Sequence, residues 1–212
     1  MTRVDKIKTD ILDRLQKGLP GHLFYHGIDH TLDVLNAVQR IGSLENISEQ
    51  EMELLQVAAL YHDCGFLVKA SGHEAIACDF AREELPSYNF NQQDISTICD
   101  LIMATKVPQQ PSSALEKILC DADLDYLGRI DFHDIAKKLY QELQSTGVVS
   151  SEAEWNRMQI KFLSKDHCLV VGPGAQGIGW WSFNRKLLCA HVFRWMLVHV
   201  SRIDYGVLLY CS

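Results

Sequence analysis

Helical periodicity through the first 165 residues constrains the fold of this chain more than any other feature. Apolar residues recur there at intervals of three and four positions, and the two-residue alternation of a half-buried strand is absent. Glycine and proline interrupt the pattern at residues 18–21, 86, 108–111 and 147. The sequence therefore predicts an all-α bundle, with helices at about 4–17, 28–43, 48–62, 73–85, 92–105, 114–127, 132–145 and 152–164.

Composition fits a compact domain and excludes several classes of protein. The 212 residues are 47% hydrophobic and 22% charged, which is ordinary globular usage with enough apolar residues for a core. The formal net charge of −7 argues against a surface that binds a nucleic-acid polymer. The seven cysteines form no Cys-x-x-Cys pair, which disfavours a thiolate zinc site. The polar start is unlike a secretion signal or a transit peptide, so we expect a cytoplasmic protein.

Two pairs of polar residues stand at informative places in the helical pattern. His26 and His30 are about one helical turn apart, so both side chains could reach one cavity. His62 and Asp63 follow an apolar run. Gly65 predicts a left-handed helix stop there, which would leave the pair at a buried helix end.

A further carboxylate completes a candidate set of metal ligands. Asp123 lies in a segment where three acids interleave with apolar residues. A carboxylate on such a half-buried face needs a partner, and a metal ion is one. Two imidazole nitrogens and two carboxylates could together hold one divalent cation, with one histidine left for acid–base chemistry.

With a histidine, a His-Asp pair and a distant aspartate in this order, the chain resembles the HD superfamily of metal-dependent phosphohydrolases. The resemblance covers roughly residues 20–165. It implies an HD-domain-like helical bundle in which His30, His62, Asp63 and Asp123 bind a divalent metal ion. Nitrogen and oxygen ligands of this kind suit manganese, iron, cobalt, zinc or magnesium without choosing among them.

The spacing of the first two histidines is similar to that of the cyclic-nucleotide phosphodiesterase branch of the superfamily. That resemblance implies that His26 is the general acid, whereas His30 is the metal ligand. Asp63 would both bind the metal and orient the attacking water. In other respects the chain is too short and too different to be a cyclic-nucleotide phosphodiesterase.

Three other residues are candidates for contacts with substrate or a second metal. In some relatives a histidine downstream of the His-Asp pair has such a role, which here would fall to His73. Lys69 and Lys106 could contact a substrate phosphate. The ordinary alternative for His73 is a residue at a helix start on the solvent-exposed edge of the site. The ordinary alternative for both lysines is a solvated surface position.

The predicted function is hydrolysis of a phosphomonoester or phosphodiester of a nucleotide or other small molecule by a metal-dependent phosphatase or phosphodiesterase. The first alternative is a catalytically idle metal- or nucleotide-binding regulatory module of the same fold. A second alternative is an interaction protein that acts through its aromatic tail.

The tail differs from the rest of the chain. Residues 167–212 contain three of the four tryptophans and carry a local charge of +3. We therefore predict a metal-dependent phosphohydrolase domain at 1–165 and an atypical tail at 166–212. One interpretation is that a frame or splice shift made the tail foreign to the ancestral domain.

A glycine-rich match to the dinucleotide-binding pattern at 172–177 lacks the sheet that it needs. Charged residues interrupt the apolar stretch 187–210, so we expect no transmembrane span.

Overall fold

The computed structural model of the protein describes residues 1–163. The predictions for residues 166–212, and for the domain boundary before them, lie outside the described residues. Within residues 1–163, no helix combines the length and the apolar character that crossing a membrane requires.

The described residues form an all-α structure, as the periodicity predicts. Eight α-helices follow one another, and no strand occurs among residues 1–163. Three short 3₁₀ helices lie between them, at Cys64–Leu67, Leu85–Tyr88 and Asp125–Gly128. The α-helices are α1 (Arg3–Gly18), α2 (Ile28–Leu44), α3 (Glu49–Tyr61), α4 (His73–Glu84), α5 (Gln92–Ala104), α6 (Ala114–Asp123), α7 (Phe132–Ser145) and α8 (Glu152–Leu163).

Local signals set the helix ends, and α6 ends four residues earlier than the pattern predicts. Ser48 and Glu51 form a capping box at the start of α3, because the Ser48 side chain accepts a hydrogen bond from the Glu51 N–H and the Glu51 carboxylate accepts one from the Ser48 N–H. Helix α3 ends at Tyr61, and α6 ends at Asp123, where Leu124 leaves helical geometry with φ −100° and ψ 9°. The ends of α3 and α6 place candidate ligands at helix C-termini.

Helix α3 is the centre of the core. Every side chain from Val57 to Tyr61 is at most 1% exposed, and α1, α2 and α5 pack around the helix. A helix that is apolar on all sides belongs in the interior. Consequently the residues that follow Tyr61 enter the middle of the bundle.

A second apolar cluster holds the end of the described region. It joins the segment after α6 to α7 and α8 through Leu124, Leu127, Phe132, Ala136 and Trp155. This packing brings α7 alongside the segment that precedes α2.

Candidate metal centre

The end of α3 turns two adjacent side chains toward one point. Neighbours on a continuing helix diverge by about 100°. Here His62 closes the helix and Asp63 leaves it with φ −103° and ψ 1°, so His62 Nε2 lies 3.2 Å from Asp63 Oδ2. The helix end therefore places both groups in the same site.

Gly65 differs from its prediction, because it is not a left-handed stop. The glycines with positive φ in the described residues are Gly72 and Gly147. Gly65 lies in the 3₁₀ turn Cys64–Leu67, where an added Cβ would be 2.0 Å from the carbonyl oxygen of His73. Glycine is required here for the close approach of this turn to the start of α4.

Helix α2 supplies the next histidine. His30 lies in its first turn, is buried, and packs against the ring of Tyr25 at 4.5 Å between centroids. His26 is not on the helix, because the chain is still extended at the N-cap Gly27. The rings of His26 and His30 nevertheless lie 5.9 Å apart, so both reach the same region.

The side chains of the four predicted ligands meet at short distances. The Nε2 atoms of His30 and His62 are 3.3 Å apart. Asp123 Oδ1 lies 3.2 Å from His30 Nε2 and 3.6 Å from His62 Nε2, and Asp63 Oδ2 lies 3.4 Å from His30 Nε2. These atoms come from the start of α2 and from the ends of α3 and α6.

The hydrogen-bonding pattern of the cluster fits a bound cation. His62 Nδ1 donates to the Ala59 carbonyl oxygen at 2.8 Å, so in the neutral imidazole Nε2 presents a lone pair. Asp63 Oδ2 is buried and has no hydrogen-bond partner in the described residues, although two imidazole nitrogens are near it. Ligand atoms about 2.1 Å from a metal in a tetrahedral site are about 3.4 Å apart. The separations here match that value, so the donor set fits a divalent cation.

Burial and charge act against each other on the ionisable groups of the cluster. Burial alone would lower the pKa of His62, but the Asp63 and Asp123 carboxylates outweigh it and raise that pKa well above its usual range. Burial would raise the pKa of Asp63, yet His62 and His73 hold it well below. In the same way His30 and His62 lower the pKa of Asp123 to about 2 against the effect of burial. The site therefore stabilises positive charge at its centre.

The second oxygen of Asp123 is held by a residue from the α5–α6 loop. Gln109 Nε2 donates to Asp123 Oδ2 at 3.2 Å, which leaves Oδ1 facing the two histidines. Asp125 lies near Asp123 in sequence but pairs with Arg40 at 2.5 Å. The structure thus turns Asp123 toward the two histidines and Asp125 toward Arg40.

Comparison with known proteins agrees with this geometry. The HD domain family model matches residues 27–125, which include all four clustered residues. Residues 27–125 therefore form an HD domain. The crystal structure of a predicted HD superfamily hydrolase from an uncultured Thermotogales bacterium has a TM-score of 0.51 to this chain and 21% sequence identity, and the alignment covers 74% of this chain and 91% of that one. At this identity the similarity shows a shared fold. A search of curated proteins gave no match.

His26 lies at the edge of the cluster formed by the four predicted ligands. Its ring stacks on Phe66 at 4.3 Å between centroids, with 19° between the planes, and its side chain is 22% exposed. Nδ1 contacts the Glu142 carboxylate of α7. The ring is thus fixed on one face and at one nitrogen while part of it remains open to solvent.

The other three candidates separate into one that lies at the site and two that do not contact it. His73, at the start of α4, places Nε2 3.2 Å from Asp63 Oδ1 and packs its ring against Phe66. Lys69 and Lys106 are exposed and make no side-chain hydrogen bond or ion pair with the described residues. Contacts of all three with substrate or a second metal remain predictions.

Sequence reasoning did not identify two residues that the structure adds to this HD domain. The Gln109 side chain contacts Asp123, 14 residues away in sequence. The Glu142 carboxylate contacts His26, 116 residues away. In the sequence Glu142 is one of several polar residues in an amphipathic helix, and only its burial in the structure distinguishes it. Burial is not visible in the sequence, and Gln109 gives no signal.

Proposed function

We propose that this HD domain is a metal-dependent phosphohydrolase that cleaves a monoester or diester of a small phosphorylated molecule. The observation that carries the proposal is the convergence of His30, His62, Asp63 and Asp123 on one point, with ligand-atom separations of 3.2–3.6 Å. Nucleotides are one class of molecule that such a site accepts.

The four clustered side chains would hold the metal ion. When bound, a divalent ion lowers the pKa of a coordinated water and offsets negative charge that builds on phosphorus. His62 contributes a lone pair at Nε2 because its Nδ1 proton is engaged by the Ala59 carbonyl oxygen. Gln109 keeps the Asp123 carboxylate turned so that Oδ1 faces the same point.

Two further roles in the reaction would belong to side chains at the site: protonation of the leaving oxygen and orientation of the attacking water. His26 lies beside the cluster with its ring partly exposed, and an imidazole has the acid strength to protonate a leaving oxygen near neutral pH. Asp63 contacts His73 through Oδ1 while Oδ2 faces the imidazoles of His30 and His62. We assign orientation of the attacking water to this carboxylate.

A crevice beside the cluster would take the rest of the substrate. Its lining includes Tyr25 and Tyr126 together with two cations, Arg129 and Lys138. Each cation lies within 3.3 Å of a carboxylate from α2, so both positive charges in the crevice are paired with negative ones. This balance favours a small ester that binds through its phosphate and disfavours a polyanion.

The decisive experiment uses the full chain. The metal is stripped, and the protein is reloaded separately with Mn²⁺, Fe²⁺, Co²⁺, Zn²⁺ or Mg²⁺. Each form is then assayed with p-nitrophenyl phosphate and with bis(p-nitrophenyl) phosphate. Hydrolysis of one of them with at least one ion supports the proposal. Tight metal binding without hydrolysis of either would favour the idle regulatory module.

We also propose that residues 1–165 are the catalytic domain and that 166–212 supply no ligand to it. All the clustered residues lie before residue 124, and α7 and α8 pack through their own apolar cluster. A chain that ends at Lys165 should keep at least half of the bound metal and of the hydrolase activity. Loss of folding in the shortened chain, measured by circular dichroism, would show that the tail is integral to the domain.

A further inference from the structure

Glu142 is a buried carboxylate whose protein partners all come from one short segment. It lies on α7 and is 3% exposed. Its Oε2 accepts hydrogen bonds from the backbone N–H groups of Tyr25 at 2.8 Å and His26 at 3.1 Å, and its Oε1 contacts His26 Nδ1. A buried carboxylate is costly unless it is bonded in this way.

These contacts fix the His26 ring as well as the backbone that carries it. A carboxylate only accepts hydrogen bonds, so Nδ1 of His26 must carry a proton toward Glu142. Phe66 holds the plane of the ring by stacking. Nε2 is then the nitrogen left for other partners, and it makes no hydrogen bond with the described residues.

We propose that Glu142 is a positioning residue that orients His26 and holds one proton on its Nδ1. The second proton of the imidazolium, on Nε2, is then the one given to the leaving oxygen, and the neutral Nδ1–H ring remains. The inference rests on the proposed role of His26 as the acid. It makes α7, which lies outside the 27–125 match to the HD domain, part of the working site. A carboxylate that orients an imidazole in this manner is a general device of acid–base catalysis.

The competing explanation is that Glu142 only ties the segment before α2 to α7. Glu142→Gln separates the two. The glutamine oxygen can still accept from the backbone N–H groups of Tyr25 and His26, so the tie is kept. The amide nitrogen then faces Nδ1 and donates to it, which moves the imidazole proton to Nε2.

The first measurement is the ¹⁵N spectrum of the histidine rings in the full-length, Zn²⁺-loaded chain. His26 is assigned by its absence from the His26→Ala spectrum. At a pH high enough for the ring to be neutral, we expect the Nδ1–H form in the wild type and the Nε2–H form in Glu142→Gln. In the variant the Nε2 proton can be given up only by forming an imidazolate, which is why its acid function should be lost. An Nδ1–H ring in both proteins would overturn the proposal, and this result needs no hydrolase activity.

The second measurement is a kinetic cycle of Glu142→Gln, His26→Ala and the double variant. We expect Glu142→Gln to lower kcat by about 10²-fold, within the range of general acid–base catalysis, with KM little changed. In the His26→Ala background the same change should have no further effect. An equal loss in both backgrounds would show a purely structural role.

Controls keep the two proposals distinguishable. Glu53→Gln, which removes a carboxylate that pairs with Arg3, should leave kcat and the His26 tautomer unchanged. If His26→Ala leaves kcat unaltered, the proposed acid role fails, while the ring spectrum still decides whether Glu142 positions His26. Bound metal should be the same in Glu142→Gln and in the wild type.

Discussion

Replacement of Gly65 by alanine tests how closely the turn after the His-Asp pair packs on α4. The added Cβ would lie 2.0 Å from the His73 carbonyl oxygen, 2.6 Å from its carbonyl carbon and 2.7 Å from its Cα. An ordinary carbon–oxygen contact needs about 3.3 Å or more. Because all three atoms are backbone, the turn and the helix must separate by more than about 1 Å.

The expected cost follows from that separation. Overpacking in an interior costs about 1–3 kcal/mol, and a clash with backbone on both sides belongs at the upper end. We expect Gly65→Ala to lower the free energy of unfolding by about 3 kcal/mol, measured by urea denaturation of the metal-free protein. The shift should also move His73 away from Asp63, which its Nε2 contacts at 3.2 Å.

Gly21→Ala is the matched control, because its Cβ would meet no atom within 4 Å and its φ is not left-handed. Its free energy of unfolding should stay within about 0.5 kcal/mol of the wild type. If Gly65→Ala also leaves the free energy of unfolding within about 0.5 kcal/mol of the wild type, the close approach of the turn to α4 is refuted.

Three further predictions concern the site. His62→Ala should reduce the bound metal to background in elemental analysis, because it removes a buried ligand. The control is His22→Ala, which changes an exposed histidine and should leave the metal content unaltered. Unaltered metal in both variants would contradict the ligand assignment. His26→Ala should keep the metal and lose turnover, with a smaller loss on nitrophenolate leaving groups because they need no proton; equal losses would remove the acid role. In the metal-free protein the lowered pKa of Asp123 contributes stability above about pH 4, and the folded form loses about 2 kcal/mol as the pH falls toward 2. Urea titrations at pH 5 and pH 2.5 that give equal stability would refute this.

Local sequence signals were sufficient to predict the helices and to single out His30, His62 and Asp63 among the clustered side chains. Apolar spacing and caps act over one or two turns, so they can be read without knowing the tertiary structure. The His-Asp pair was informative because it stands where an apolar helix ends, and that end aims both groups into the core. The resemblance then added Asp123, which residue spacing alone did not distinguish from its acidic neighbours.

The remaining parts of the site depend on packing between distant segments. Glu142 meets His26 only because the apolar cluster beyond α6 brings α7 beside the start of α2. A glycine after an apolar helix predicts a left-handed stop, yet Gly65 makes a close contact with His73 that no local pattern contains. The position of His26 before α2 likewise depends on Gly27, where the chain is extended.

The orientation of the helices adds to the preference for positive charge at the site. Helices α3 and α6 both end at the cluster, and a helix C-terminus carries about half a negative charge. Helix α2 presents its N-terminus near His30, which opposes one of these two contributions. One uncompensated C-terminus therefore acts together with the Asp63 and Asp123 carboxylates. The backbone thus favours a cation at the same point as the side chains, which is consistent with the raised pKa of His62 in the absence of metal.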